Sequence, residues 1–413
     1  MASSSRAAGM QHPRIDPALI VIAAGVCAAL HVGKLPPAIT TLREALDMTL
    51  VQAGFLLSLV QLAGMSGGVA FGVLADGLGL RRSMALGLVV LAAASAIGGL
   101  AQGVVMLMVL RAIEGFGFLL VVLPAPGLVR RLVAPQRVSV MLGLWSAYMP
   151  LATALALLIG PLYISAWGWR AWWWGLAAVS LVMAVVLLRG VPAVLAAQPA
   201  AGAPWMQRLR RTLAEKGPWL VALTFAAYSG QWLAVIGFLP AIYMEAGVSG
   251  ATTGVLTALV AAVNMAGNVG AGHLLHRGVA PARLLAIGFV TMALASAATF
   301  AGADGAGLPA WARFIAVMLF SGVGGLVPAT LFALAVRVAP SDSTLSTTIG
   351  WMQQWSALGQ FFGPPLVAWV ASLTGGWQFT WLATGAASVA GLLLAGALAR
   401  LSSSRPSAAP TRR

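Results

Sequence analysis

Within a run of apolar residues the sequence places Arg111-Ala112-Ile113-Glu114-Gly115-Phe116-Gly117. A cation and a carboxylate three residues apart share one helical face, so they can pair; the carboxylate can also take up a proton, and the arginine can hold an anion. A cation at mid-bilayer costs roughly 2.5–3.5 kcal/mol on insertion scales, so this pair reads either as a structural ion pair that offsets the cost or as a working site. Lys34 stands just ahead of Pro36-Pro37 in another apolar run. It reads either as a lysine snorkelling to the surface or as a second cation facing the same cavity as Arg111, and two such cations would favour an anion.

Three further sets of polar and aromatic residues fall at similar depth: Trp145-Ser146-Ala147-Tyr148, Tyr228-Ser229-Gly230-Gln231-Trp232 and Trp351-Met352-Gln353-Gln354-Trp355. Side chains that carry donors in an apolar setting need partners, either on neighbouring helices or in a wet cavity. Helix packing and solute contact both remain open for each set. Asn264 and Asn268 read as polar glue between helices.

These residues are positioned by a chain that is 60% hydrophobic and only 8% charged over 413 residues, with a mean hydropathy of +0.93. So few charges cannot cover a water-soluble domain, and most of the surface must face lipid. The net charge of +15 is spread in short clusters between apolar runs, which fits membrane topology and excludes a nucleic-acid partner. Cys27 is the single cysteine, so neither a disulfide framework nor a cysteine metal cluster is available. No phosphate loop, zinc-protease motif or nucleophile elbow is present, and neither a cofactor nor an enzymatic activity is expected.

Twelve runs are long enough to cross a bilayer as helices, at about 17–38, 50–73, 83–101, 104–128, 138–162, 171–189, 218–240, 250–272, 284–301, 311–335, 344–370 and 378–399. The first is expected to be an uncleaved anchor. If the amino terminus is cytoplasmic, that side collects 19 of the 24 Lys and Arg; the positive-inside rule then places both termini in the cytoplasm, with the protein in the cell (inner) membrane. The expected organisation is an N-terminal tail (1–16), a six-helix bundle (17–189), a cytoplasmic linker (190–217), a second six-helix bundle (218–399) and a C-terminal tail (400–413). In the linker, Trp205, Leu209 and Leu213 recur every four residues beside Arg208, Arg211 and Lys216, a pattern shared by an interfacial helix and a flexible linker.

The two halves repeat each other. At an offset of 200 residues Gly54 aligns with Gly254, Met65 with Met265, Gly72 with Gly272 and Asp76 with His276; at slightly larger offsets Pro37 aligns with Pro240, Pro124 with Pro328, Trp145 with Trp351 and Gly160-Pro161 with Gly363-Pro364. Halves of six crossings start on the same side, so the repeats are parallel about an axis normal to the membrane, an arrangement that can rock about a central site.

The loop after the second run reads Gly72-Val-Leu-Ala-Asp76-Gly-Leu-Gly79-Leu-Arg81-Arg82. This spacing, with twelve crossings in a six-plus-six repeat, resembles the loop signature of the major facilitator superfamily over about residues 16–400. The resemblance implies the major facilitator fold, all-α and membrane-embedded, and a gating role for Gly72, Asp76, Gly79, Arg81 and Arg82. Arg111 with its following glycines resembles that family's fourth-helix motif, which is associated with proton coupling, and Glu114 stands where glutamine is more usual. MLGLWSA in the fifth run and GPPLVAWV in the eleventh are similar to the cyanate and nitroimidazole permease branch, although the arginine usual earlier in the first helix is missing. The antiporter signature of the fifth helix is degenerate, with Ala156 ahead of Gly160-Pro161 and no glycine pair after it.

The resulting expectation is a monomeric secondary active transporter that moves a small organic solute, an anion, by alternating access with proton symport. Lys34, Arg111, Trp145, Tyr148, Tyr228, Gln231, Trp232, Trp351 and Gln354 are expected to contact the solute, and Glu114 with Arg111 to couple the proton. A proton-coupled drug or metabolite efflux antiporter is the alternative, and a membrane-embedded enzyme or receptor the rival of another class.

Overall fold

A computed structural model describes residues 16–67, 79–192, 205–302, 307–341 and 344–403, and every regular element among them is helical. Helix α1 (Pro17–Gly33) starts where the Asp16 carboxylate accepts the Ala18 amide at 3.0 Å and Pro17 fills the first position. It stops because Pro36 and Pro37 offer no N–H to the carbonyls one turn back. The chain tightens into a 3-10 turn at Pro36–Ala38 and resumes as α2 (Ile39–Leu46). Helix α3 (Leu50–Ser58) opens on a reciprocal cap between Thr49 and Gln52 and runs on through a 3-10 turn at Leu59–Gln61. Then come α4 (Leu80–Gly98), α5 (Val104–Val122), α6 (Ala125–Leu132), α7 (Val138–Ser146), α8 (Tyr148–Gly190), α9 (Trp205–Ala214) and α10 (Lys216–Glu245). The second half continues with α11 (Gly250–His276), α12 (Pro281–Phe300), α13 (Ala310–Gly324), α14 (Leu326–Val338), α15 (Leu345–Thr374) and α16 (Thr380–Ser403).

Helix α8 spans 43 residues, too long for one crossing of about 30 Å at 1.5 Å per residue. It doubles back at Gly168, whose φ of 80° and ψ of 165° suit glycine alone. The Tyr163 ring lies 5.5 Å from that of Trp172 across the reversal. These arms are the runs expected at 138–162 and 171–189. Among the described residues ten helical segments are long and apolar enough to span a membrane. The segment 135–190 contains the reversal and crosses twice, and α15, interrupted by Pro364-Pro365 and richer in glutamine, completes twelve. An even number of crossings leaves the first and last described residues, Asp16 and Ser403, at one end of the molecule, the end toward the termini.

Each half has its own core. Residues from Ala18 to Val191 pack around α1, α4, α5 and the second arm of α8, and a second core runs from Val221 to Leu398, joined by Leu157 from the first arm of α8. A third cluster joins the halves at the end away from the termini, where Leu35, Leu42 and Leu57 meet Ala234, Phe238 and Val367. Lipid is as apolar as these side chains, so the halves are held by close fit rather than by exclusion from water. Small residues supply that fit. A Cβ on Gly54 would lie 2.9 Å from Pro365 Cα, and one on Gly254 would lie 3.0 Å from the Leu157 carbonyl and 3.2 Å from Pro161 Cγ. Repeat-matched glycines of α3 and α11 therefore seat against repeat-matched Gly-Pro segments of the opposite half.

Candidate functional site

The break in α1 is where the first half gathers its charge. Pro36 cannot donate to the Val32 carbonyl, and the helix ends with the carbonyls of His31 and Val32 turned toward α5. Arg111 of α5 answers them: Nη2 donates to the Val32 carbonyl at 3.3 Å, Nη1 donates to the His31 carbonyl, and Nε reaches the Leu56 carbonyl of α3 at 3.3 Å. Nη1 also donates to Glu114 Oε2 at 2.8 Å. The other carboxylate oxygen, Oε1, accepts from Lys34 Nζ. Glu114 thus divides its two oxygens between two cations from two helices.

Neutral partners complete the cluster. Lys34 Nζ donates to Ser95 Oγ at 3.0 Å and lies 4.6 Å from the centre of the Trp173 ring. Ser95 passes a hydrogen bond to the Trp173 carbonyl at 2.9 Å, and the Trp172 indole satisfies the Lys34 carbonyl at 3.1 Å. His31 places Nδ1 3.5 Å from Lys34 Nζ and 3.7 Å from Glu114 Oε1, while its Nε2 meets Ser180 Oγ at 2.7 Å. His31 and Lys34 are completely buried, and Arg111 and Glu114 are 2% exposed. With so little water nearby these interactions are weakly screened, and each charge depends on its partners.

Lys34 therefore turns inward rather than snorkelling, and the structure places Lys34 and Arg111 inside the first half rather than on an open cavity wall. The link to the rest of the molecule is α3, which Arg111 grips at Leu56 and which carries Gly54 and Gln61 to the second half. There Gln61 Nε2 donates to Gln360 Oε1 at 3.0 Å, and Gln354 Nε2 donates to the Met65 carbonyl at 2.9 Å.

The aromatic sets divide between packing and contact. Trp145 stacks on Tyr148 with ring centres 4.5 Å apart and covers Gly25 of α1. In α10, the Tyr228 hydroxyl accepts from Asn264 at 2.9 Å, Trp232 donates to Ser321 Oγ at 3.2 Å, and Gln231 is held by Ser388 and the Ala227 carbonyl. These three side chains point into the second half, where Asn264 bridges helices as its sequence position suggested. Trp351 packs edge-on against Trp219 at 4.8 Å, and its buried Nε1 has no hydrogen-bond partner among the described residues.

Gly72 and Asp76 lie outside the described residues. Gly79 starts α4 at φ 83°, and Arg81 donates to the Val191 carbonyl at 2.8 Å and the Leu188 carbonyl at 3.3 Å. Arg81 thereby ties its loop to the carbonyl end of α8, where a cation meets the negative pole of the helix. Arg82 is exposed. At the end away from the termini, Arg43 Nη1 and Glu245 Oε1 stand 3.6 Å apart across the two halves, and Trp377 donates to Glu245 Oε2 at 2.7 Å.

Sequence reasoning passed over His31, Ser95, Ser180 and Trp173. A signal existed for His31, which sits three residues before Lys34 and so on the same helical face. Ser180 lies 149 residues away in sequence, and nothing local marks it.

A family model described as Major Facilitator Superfamily matches residues 21–342 and 220–413. No curated protein matches the chain in sequence. Among solved structures, the chain is similar to a bacterial homolog of the human lysosomal transporter Spinster in an inward-facing, unoccupied conformation. That match has a TM-score of 0.74 and 17% identity, covering 94% of this chain and 96% of that one. The occupied, inward-facing form of the bacterial homolog is similar with a TM-score of 0.75 and 15% identity, over the same shares of the two chains.

Proposed function

This chain belongs to the Major Facilitator Superfamily, a multi-pass membrane transporter rather than an enzyme, and from that premise we propose that it carries a small organic anion together with a proton. The observation that carries the proposal is the division of the Glu114 carboxylate between Lys34 and Arg111. Two cations against one carboxylate leave an excess positive charge in a site closed off from bulk solvent. A proton on Glu114 raises that excess, and an anion approaching the cluster offsets it. Proton and anion then raise each other's affinity, as linkage requires of symport.

The movement follows the same bonds. Protonated Glu114 releases part of its hold on Arg111, and Arg111 is what fixes the Leu56 carbonyl of α3. Helix α3 is also the surface on which the first half meets α15, so a change at Glu114 alters the fit between the halves. The solute is proposed to bind between the halves near Gln61, Gln354, Gln360 and Trp351, whose unpartnered indole N–H suits an acceptor. Trp145, Tyr148, Tyr228, Gln231 and Trp232 support the walls of that site. Both termini and the Gly79–Arg82 loop are assigned to the cytoplasmic side of the cell membrane, and the monomer is the working unit.

Reconstituted protein tests this directly. An inward proton gradient should drive accumulation of an organic anion in wild-type vesicles, and Glu114→Gln should bind the anion yet lose that drive. Accumulation by Glu114→Gln equal to wild type would remove the coupling role from this residue. A gradient that drives export instead supports the second reading, an efflux antiporter built on the same carboxylate.

A further inference from the structure

We propose a binding site for an anionic phospholipid where α9, α10 and α16 meet at the end of the molecule that carries the termini. A groove of about 710 Å³ opens there between Leu213 and Ala214 at the end of α9, Glu215 in the turn that follows, Lys216, Trp219 and Leu220 at the start of α10, and Ala397, Arg400 and Leu401 at the close of α16. Its composition is graded. Leu213, Leu220, Ala397 and Leu401 make an apolar floor, and Lys216 and Arg400 stand exposed at the rim with the single acid Glu215.

Such a groove suits a molecule with a negative head and hydrocarbon tails. Lys216 and Arg400 supply the charge complement for a phosphodiester. The acyl chains have a path along α16, whose spanning segment is 28% buried and so faces lipid over most of its length. Trp219 spends its indole N–H on the Leu213 carbonyl at 3.0 Å, which fixes the turn between α9 and α10 and leaves the ring to line the wall. Arg208, Arg210 and Arg211 add positive charge to α9, the helix whose end borders the groove. A soluble phosphate would use the rim and waste the floor, so the occupant is a lipid.

The site makes the linker between the halves responsive to the membrane. A lipid bridging Lys216 of α10 and Arg400 of α16 holds the first and last helices of the second half at a common depth, beside the turn that joins α9 to α10.

The test uses full-length protein in neutral detergent. Thermal unfolding is followed with added phosphatidylglycerol, phosphatidylcholine or glycerol 1-phosphate, and bound lipid is counted by native mass spectrometry. Phosphatidylglycerol should raise Tm by several degrees beyond phosphatidylcholine, glycerol 1-phosphate should leave it unchanged, and Lys216→Ala/Arg400→Ala should abolish the difference and one retained lipid. Lys216→Arg/Arg400→Lys, which keeps the charges, should retain both. Arg277→Ala/Arg283→Ala, which removes charge elsewhere at the same end, should also respond as wild type. Equal response to the two phospholipids, a full response to glycerol 1-phosphate, or equal losses in the two alanine pairs would overturn the proposal.

Discussion

Arg43 of the first half and Glu245 of the second stand 3.6 Å apart at the end of the molecule away from the termini, with Trp377 donating to the free oxygen of the same carboxylate. The pair is partly exposed, at 33% and 47%, so it contributes about 0.2–1 kcal/mol after solvent screening. That is enough to shift a conformational balance a few-fold. Cross-linking through cysteines placed beside the pair, in a Cys27→Ser background, should fall two- to fivefold in Arg43→Ala. The exchanged pair Arg43→Glu/Glu245→Arg should restore most of it, whereas a loss in the exchanged protein as large as in Arg43→Ala would show that the charges do not hold this end shut.

A buried cluster makes stability depend on partners rather than on single charges. Glu114→Leu strands two cations and should cost about 3–5 kcal/mol, read as a large drop in detergent Tm. Lys34→Met/Glu114→Gln strands one cation instead of two and should be milder than Glu114→Gln alone. Additive losses in a double-mutant cycle would mean that the two residues do not interact.

Glu114→Gln should also flatten the pH dependence of anion affinity measured at equilibrium. His31→Gln keeps a hydrogen-bonding side chain near Ser180 and should leave affinity within a few-fold. Unchanged pH dependence in Glu114→Gln would move the coupling proton to another group.

Close approach at the paired glycines gives a steric test. Gly54→Val should disrupt the seat against Pro364-Pro365 and reduce transport at least tenfold, and Gly254→Val should do the same at Pro161. Gly143→Val, where a Cβ meets nothing within 4 Å, should be tolerated. Transport by Gly54→Val at the level of Gly143→Val would refute the seating.

The fold was legible because each bilayer crossing must be an apolar helix of fixed minimum length, and because Gly54, Gly254, Pro161 and Pro364 kept their register across the two halves. The cluster was legible only in part. Arg111, Glu114 and Lys34 announce themselves as charges in apolar runs, yet such helices give little sign of which face turns to lipid and which to a neighbour. The inward turn of Lys34 depends on Ser95 and Trp173 from other helices, and Tyr228 and Trp232 point to Asn264 and Ser321 rather than to a pocket shared with Trp351. These choices are made by tertiary packing, which no local pattern of residues records.

The interruption of α1 and the arginine opposite it presuppose each other. An unbroken helix through residues 31–38 would keep its carbonyls for itself and leave the Arg111 guanidinium with only Glu114 and the Leu56 carbonyl, while a broken helix without Arg111 would leave those carbonyls bare in a buried interior. Positions 36, 37 and 111 are therefore expected to be inherited as a unit, drifting together among descendants of this chain or not at all.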